Sequence, residues 1–123
     1  MAKFAVDESG FWLALEYRIC SEFRGMKERH LRAWWCDGLV PSVYHFEEEQ
    51  PLITGVAWMV NGRDQQQWEF TLRLSPSVRS RDEIPWTELL PPEDATRWLT
   101  FGRDKRSILI DPSAAVPDGA SGV

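Results

Sequence analysis

Residues 52–74 read LITGVAWMVNGRDQQQWEFTLRL, two apolar-rich runs separated by an Asn-Gly pair. The second run, Gln66 to Leu74, alternates: Trp68, Phe70, Leu72 and Leu74 share one side, and Gln67, Glu69, Thr71 and Arg73 share the other. Side chains on a strand point alternately to its two faces, so this is a strand with one wet face. The first run, Leu52 to Val60, is apolar at nearly every position, the pattern of a strand flanked on both sides within a sheet. Asn61, the chain's only asparagine, and Gly62 both tolerate positive φ, which a tight hairpin requires. Two registers keep the apolar face inward. A two-residue Asn-Gly loop sets Trp68 opposite Gly55 and Phe70 opposite Ile53; a longer loop through Asp64 sets Trp68 opposite Trp58 and Phe70 opposite Val56. The turn chemistry favours the first.

On the N-terminal side, Leu39 to Phe46 is short and apolar but holds Pro41. Proline cannot donate to a ladder, so this segment is expected as an edge strand or an extended connection. Before it, Leu31, Trp34 and Trp35 fall at helical spacing and Glu28 with Arg32 makes an i,i+4 pair, which predicts a helix over residues 27–36 stopped by Gly38. A strand with Leu31, Ala33 and Trp35 inward is the competing reading, and the cations Lys27 and Arg29 oppose the dipole at a helix start. Phe11 to Arg24 alternates: Phe11, Leu13, Leu15, Tyr17, Ile19 and Phe23 on one side, Glu16, Arg18, Glu22 and Arg24 on the other. That period predicts a strand ended by Gly25.

On the C-terminal side, Ser75 to Pro85 reads as a polar loop. Pro91-Pro92-Glu93-Asp94 reads as a helix start, with proline in the first turn and acids near the positive end, giving a short helix over residues 92–98. Trp98–Phe101 and Ser107–Ile110 flank Gly102-Arg103-Asp104-Lys105 as a final hairpin. The sum is an α+β domain: an antiparallel sheet of four to six strands with one or two short helices, and no need for a parallel crossover. Residues 10–111 form this single domain, with a flexible N-terminus at 1–9 and a disordered tail at 112–123.

The 123 residues suit one domain, and 43% apolar with 27% charged residues is a globular balance. No stretch is long and apolar enough to span a bilayer, and residues 1–10 lack a signal peptide's basic start and apolar run. The expected location is the cytoplasm, away from membranes, where Cys20 and Cys36 remain thiols. A net charge of −5 disfavours general nucleic-acid binding, which draws on phosphate neutralisation. The basic residues, 11 Arg against 3 Lys, are suited to forked pairing with the chain's own carboxylates.

Cys20, His30, Cys36 and His45 lack the close-pair spacing of zinc ligands. Cys36 with a histidine and Asp37 supplies the residue types for thiol catalysis, but it follows Trp34-Trp35, a packed context rather than an open cleft. The Glu47-Glu48-Glu49 run shares one environment, whereas paired acid and base groups need two. Gly-x-Ser-x-Gly, Gly-x-Gly-x-x-Gly and Walker patterns are missing. No catalytic, cofactor-binding or metal-ligating residues are assigned.

Seven tryptophans are what is left to explain. Trp58 and Trp68 alternate with core positions, and Trp98 sits between a helix and a strand. Trp12 falls on the polar side of the first predicted strand, Trp34 and Trp35 are adjacent and point different ways, and Trp86 sits in a loop. Tryptophan and arginine dominate interface energetics. The expected function is protein–protein binding or regulation, of a regulator, inhibitor or immunity type, with another protein or a second copy as partner. The expected patch is Trp34, Trp35, Arg29 and Arg32, with Trp12 and Trp86 behind it. The alternatives are a ligand-binding domain or small enzyme with a carboxylate- or His45-bearing cleft over the sheet, and a nucleic-acid binder using the basic-aromatic run at 27–35.

Overall fold

Asp7 sets the first element. Its carboxylate accepts from the Gly10 backbone N–H at 2.9 Å and caps a 17-residue helix, α1 (Glu8–Arg24), with Glu8 in the first turn and Arg24 in the last. Both charges suit the helix dipole. The expected strand at 11–24 is therefore corrected to a helix. Phe11, Leu15, Ile19 and Phe23 satisfy a period of two and also recur every fourth residue, and it is the second periodicity that packs: all four are fully buried, joined by Trp12 and Cys20. Leu13 and Tyr17 point away. A strand of that length would exceed the usual 3–10 residues, and Trp12 would have broken its polar face.

The computed structural model describes residues 5–92, 96–102 and 106–115. After α1 comes a single turn, α2 (Arg29–Arg32), then β1 (Trp35–His45), β2 (Leu52–Asn61), β3 (Asp64–Arg73), β4 (Leu99–Gly102) and β5 (Ser107–Ile110). The helix expected at 27–36 shrinks to α2. Its N-cap Glu28 makes no side-chain capping bond, and the turn carries cations at its start with no acid to offset them. From Trp35 the chain joins the sheet.

The five strands lie in the order β1-β2-β3-β5-β4. The α+β class and the five strands agree with the sequence reading. Pro41 is tolerated because β1 is an edge, and the β1–β2 ladder is irregular between Cys36 and Leu39 and between Pro41 and Val43. The β2–β3 hairpin adopts neither expected register. Its ladder runs on to Asn61↔Asp64, so the two-residue turn is Gly62-Arg63. Gly62 has φ +63 while Arg63 stays out of the positive region, the pattern of a II′ turn with glycine first. Trp68 thus faces Ala57, and Phe70 faces Gly55. This is two residues from the shorter-loop register, so the same faces stay inward. Gly55 is needed there: a Cβ would lie 2.2 Å from the Val40 carbonyl oxygen.

One pairing is parallel, against expectation. β5 lies beside β3 with Phe70↔Ile108 and Leu72↔Ile110, and β4 pairs antiparallel outside it. The described part of the connection to β4, residues 74–92, passes beside the start of α1. Trp86 packs on Phe11 and Trp12 (centroids 5.1 and 6.0 Å), and the Val6 N–H donates to Thr87 Oγ1 at 3.0 Å. A 3-10 turn at Thr96–Trp98 replaces the end of the helix expected at 92–98; residues 93–95 of that expectation, and the hairpin loop at 103–105, lie outside the described residues. α1 takes in Glu8 and Ser9 of the stretch read as loose. Pro112–Ala115 form a 3-10 turn, and the remainder of the expected tail lies outside the described residues.

The core lies between α1 and one face of the sheet. Trp12 meets Phe70 at 5.4 Å, and Phe23 meets Trp68 at 5.8 Å and Phe101 at 4.5 Å. Each such side chain contributes about 1.5–3 kcal/mol on burial. Glu8 locks the helix in place. Its Oε2 accepts from Trp12 Nε1 (3.0 Å) and from the Tyr44 hydroxyl; its Oε1 accepts from Arg81 Nη2 (2.9 Å) and Nε (3.2 Å). The Arg81 guanidinium also lies 4.4 Å over the Tyr44 ring. One carboxylate thus joins the start of α1, the end of β1 and the 74–98 connection.

Candidate functional site

Two features stand out once the fold is laid down, and they are on different parts of the surface. The first surrounds the β1 edge. The large apolar residues exposed among those described are Leu13 and Tyr17 on α1, Trp35, Val40 and Val43 on β1, and Trp58 on β2. α1 covers one sheet face only, so Val40 and Trp58 project from the uncovered one. Leu13 and Tyr17, one turn apart on the outer side of α1, meet Trp35 across a hollow of about 290 Å³ that also holds Glu16 and Asp37. The Arg24 guanidinium lies 5.0 Å over the Trp35 ring and Arg18 lies 5.9 Å from the Tyr17 ring. Burial pushes the Glu16 carboxyl above its ordinary value; the Leu39 N–H, donating at 3.3 Å, works against that rise, and Asp37 adds to it.

The two cysteines lie beneath this hollow. Cys20 Sγ accepts from the Cys36 N–H at 3.1 Å and donates to the Cys36 carbonyl at 3.4 Å; both are free thiols. Burial pushes the Cys20 thiol upward and the Cys36 thiol to about 12, leaving a vanishing thiolate fraction at neutral pH. Both side chains fill space beneath the hollow.

The second feature is a cavity of about 420 Å³ where the end of α1, α2 and the far ends of the strands meet. Phe23, Trp34, Trp68 and Phe101 wall it, Met26 and Leu31 close one side, and His30, Asn61 and Arg106 supply its polar groups. Trp34 packs on Trp68 at 5.3 Å. Gln66 Oε1 accepts from both Trp68 Nε1 (3.0 Å) and Arg106 Nη1, so one amide fixes a wall and the cation together.

The tryptophans and arginines expected to make one patch are dispersed. Trp12 is 6% exposed in the core, and Trp86 is half-buried against it. Trp34 is buried as a cavity wall, while Trp35, the next residue, is 46% exposed on the β1 edge. Arg29 and Arg32 are exposed on α2. Leu13, Tyr17 and Trp58 were missed, the first two because period two placed them inside; helical spacing would have set them outside. The cavity's members span residues 23–106, and no local pattern announces such a set. The cleft expected to hold a carboxylate or His45 is not this cavity. The place where the sequence reading put such a cleft is an open hollow of about 420 Å³ on the uncovered sheet face, lined by His45, which bonds Thr54 Oγ1 at 3.1 Å, and by Glu69.

Among the described residues no three His, Cys, Asp or Glu side chains gather where they could hold a metal, and no helix is long and apolar enough to cross a membrane. No protein-family model matches the sequence, and no curated protein and no solved structure is similar enough to this chain to show kinship.

Proposed function

We propose that this protein is a binding module, a regulator or inhibitor without a catalytic step of its own, acting in the cytoplasm on another protein or on a second copy of itself. The observation that carries the reading is the pair of exposed rings Tyr17 and Trp35 on either side of the hollow beside the β1 edge, with Arg18 and Arg24 set against them. Tryptophan, tyrosine and arginine are the side chains that anchor protein interfaces. Pro41 and the two irregularities of β1 interrupt its row of outward N–H groups, so the partner is held by side chains rather than by an added strand.

Capture from native extract, combined with sedimentation of the purified protein, tests this. Trp35→Ala lowers retention of the partner, or the association constant of a dimer, about 30-fold or more, as central aromatic anchors do. Arg32→Ala, on α2, leaves it within about twofold, the range of a neutral surface change. A folded Trp35→Ala variant that binds as well as the parent, or a protein that stays monomeric and retains nothing, overturns the proposal.

A further inference from the structure

We infer that the cavity at the end of α1 is a site for a small, flat, apolar molecule bearing one anionic group, an aryl carboxylate in chemical class. This goes beyond the binding reading above and uses different residues.

The cavity's volume, about 420 Å³, falls within the roughly 300–1,000 Å³ of small-molecule sites, which are mostly apolar with a few placed polar groups. Its walls are Phe23, Trp34, Trp68 and Phe101, with Phe23 and Trp34 each packed on Trp68 at 5.8 and 5.3 Å. Faces of that kind suit a planar ring by offset or edge contact. Trp34 and Trp68 are held by the core.

Charge selects the second part of the ligand. The chain carries 19 acidic residues against 14 basic ones, yet the described residues lining this cavity include no carboxylate. Their ionisable groups are Arg106 and His30, and Asn61 adds an amide. A guanidinium presents five N–H donors in a fork that matches a carboxylate, and the bond to Gln66 takes one of them. Arg106 is held with φ 52, the one positive φ among the described non-glycine residues, and its carbonyl accepts from the Glu69 N–H at 3.2 Å. Backbone in that region is unfavourable for a side-chain-bearing residue and recurs at ligand clamps. Here it stands together with the cavity, the aromatic walls and the sign of the charge.

The test uses naphthalene-2-carboxylate and its uncharged isostere naphthalene-2-carboxamide, titrated into the full chain while the tryptophan side-chain N–H signals are followed by NMR. The carboxylate binds saturably, shifts the Trp34 and Trp68 indole signals, and binds at least tenfold more tightly than the amide. Arg106→Gln removes that tenfold preference and leaves amide affinity within about twofold, because only the charged fork is lost. Trp34→Leu weakens both probes, and an unchanged set of the remaining indole signals reports that it still folds. Shifts at Trp35 or Trp58 in place of Trp34 and Trp68, equal affinity for the two probes, or no saturable binding at the solubility limit of the carboxylate each overturn the inference.

Discussion

Replacing Glu8 by glutamine tests whether one carboxylate holds α1 against the rest of the fold. Four donors converge on it: Trp12 Nε1, the Tyr44 hydroxyl, and Arg81 through Nε and Nη2. An amide keeps one acceptor and turns its NH₂ toward either the Arg81 pair or the Trp12–Tyr44 pair, so donors face donors whichever way it lies. The Arg81 side chain is 61% exposed, so solvent screens its ion pair and that bond contributes little. The indole belongs to a core residue, and with the tyrosine hydroxyl its bond to a charged acceptor contributes about 1.5–2 kcal/mol. The expected loss is about 2–3 kcal/mol, or a fall in Tm of about 10 °C for a domain of this size.

The pH dependence separates a charge effect from a packing effect. Burial raises the Glu8 carboxyl, but the hydrogen bonds from Tyr44, Trp12 and Arg81 outweigh it and hold the group below its ordinary 4.5. A depressed carboxylate stabilises the fold fully above its unfolded value and loses that contribution as pH falls through the folded value. Denaturant unfolding of parent and Glu8→Gln should therefore differ by a constant amount from pH 6 to 8, and the gap should narrow as pH falls below about 4.5. Tyr44→Phe in the glutamine background should cost less than in the parent, since the two share one bond. An equal gap at pH 7 and pH 3, or additive losses, would refute the reasoning.

Three further outcomes rest on single features. Gly55→Ala sets a Cβ 2.2 Å from the Val40 carbonyl oxygen and 2.8 Å from the Phe70 ring, so β1 and β2 must part; the loss is about 3 kcal/mol by chemical denaturation, and an unchanged midpoint would contradict the packing. Gly62→Ala, with nothing near its Cβ but φ +63, costs only the left-handed penalty of about 1–2 kcal/mol and leaves the hairpin register unchanged by NMR. A thiol reagent at pH 8 labels neither Cys20 nor Cys36 in the folded protein and labels both after denaturation; rapid native labelling would show that burial does not suppress their thiolates.

What the sequence revealed is local, and what it hid is tertiary. The hairpin at 52–74 was legible because alternation and a glycine turn act within a few residues. Its register slipped because Asn61, rather than Arg63, was credited with the turn, although glycine alone supplies the positive φ. α1 was misread because Phe11, Leu15, Ile19 and Phe23 fit two periods at once. The length of the run and the Asp7 cap decide between them. Trp12 breaks the period-two pattern of a strand, but in the helix it is a core residue. The parallel β3–β5 pair has no local signal, since nothing in Ser107–Ile110 says beside which strand it will lie. The aromatic cavity shares that origin.

β5 also imposes an order on synthesis. Of the five strands described, the latest in sequence is an interior one, seated between β3 and β4. Until Ile108 and Ile110 emerge, β3 has an open flank, and Phe70 and Leu72 lack the neighbours that complete their layer. The β1–β2 and β2–β3 hairpins close through contacts near in sequence, whereas pairing β5 with β3 spans the 74–98 connection and carries a larger loop-closure entropy. The nascent chain therefore spends its vulnerable interval with one sheet flank bare, and the step that ends it is the arrival of four residues.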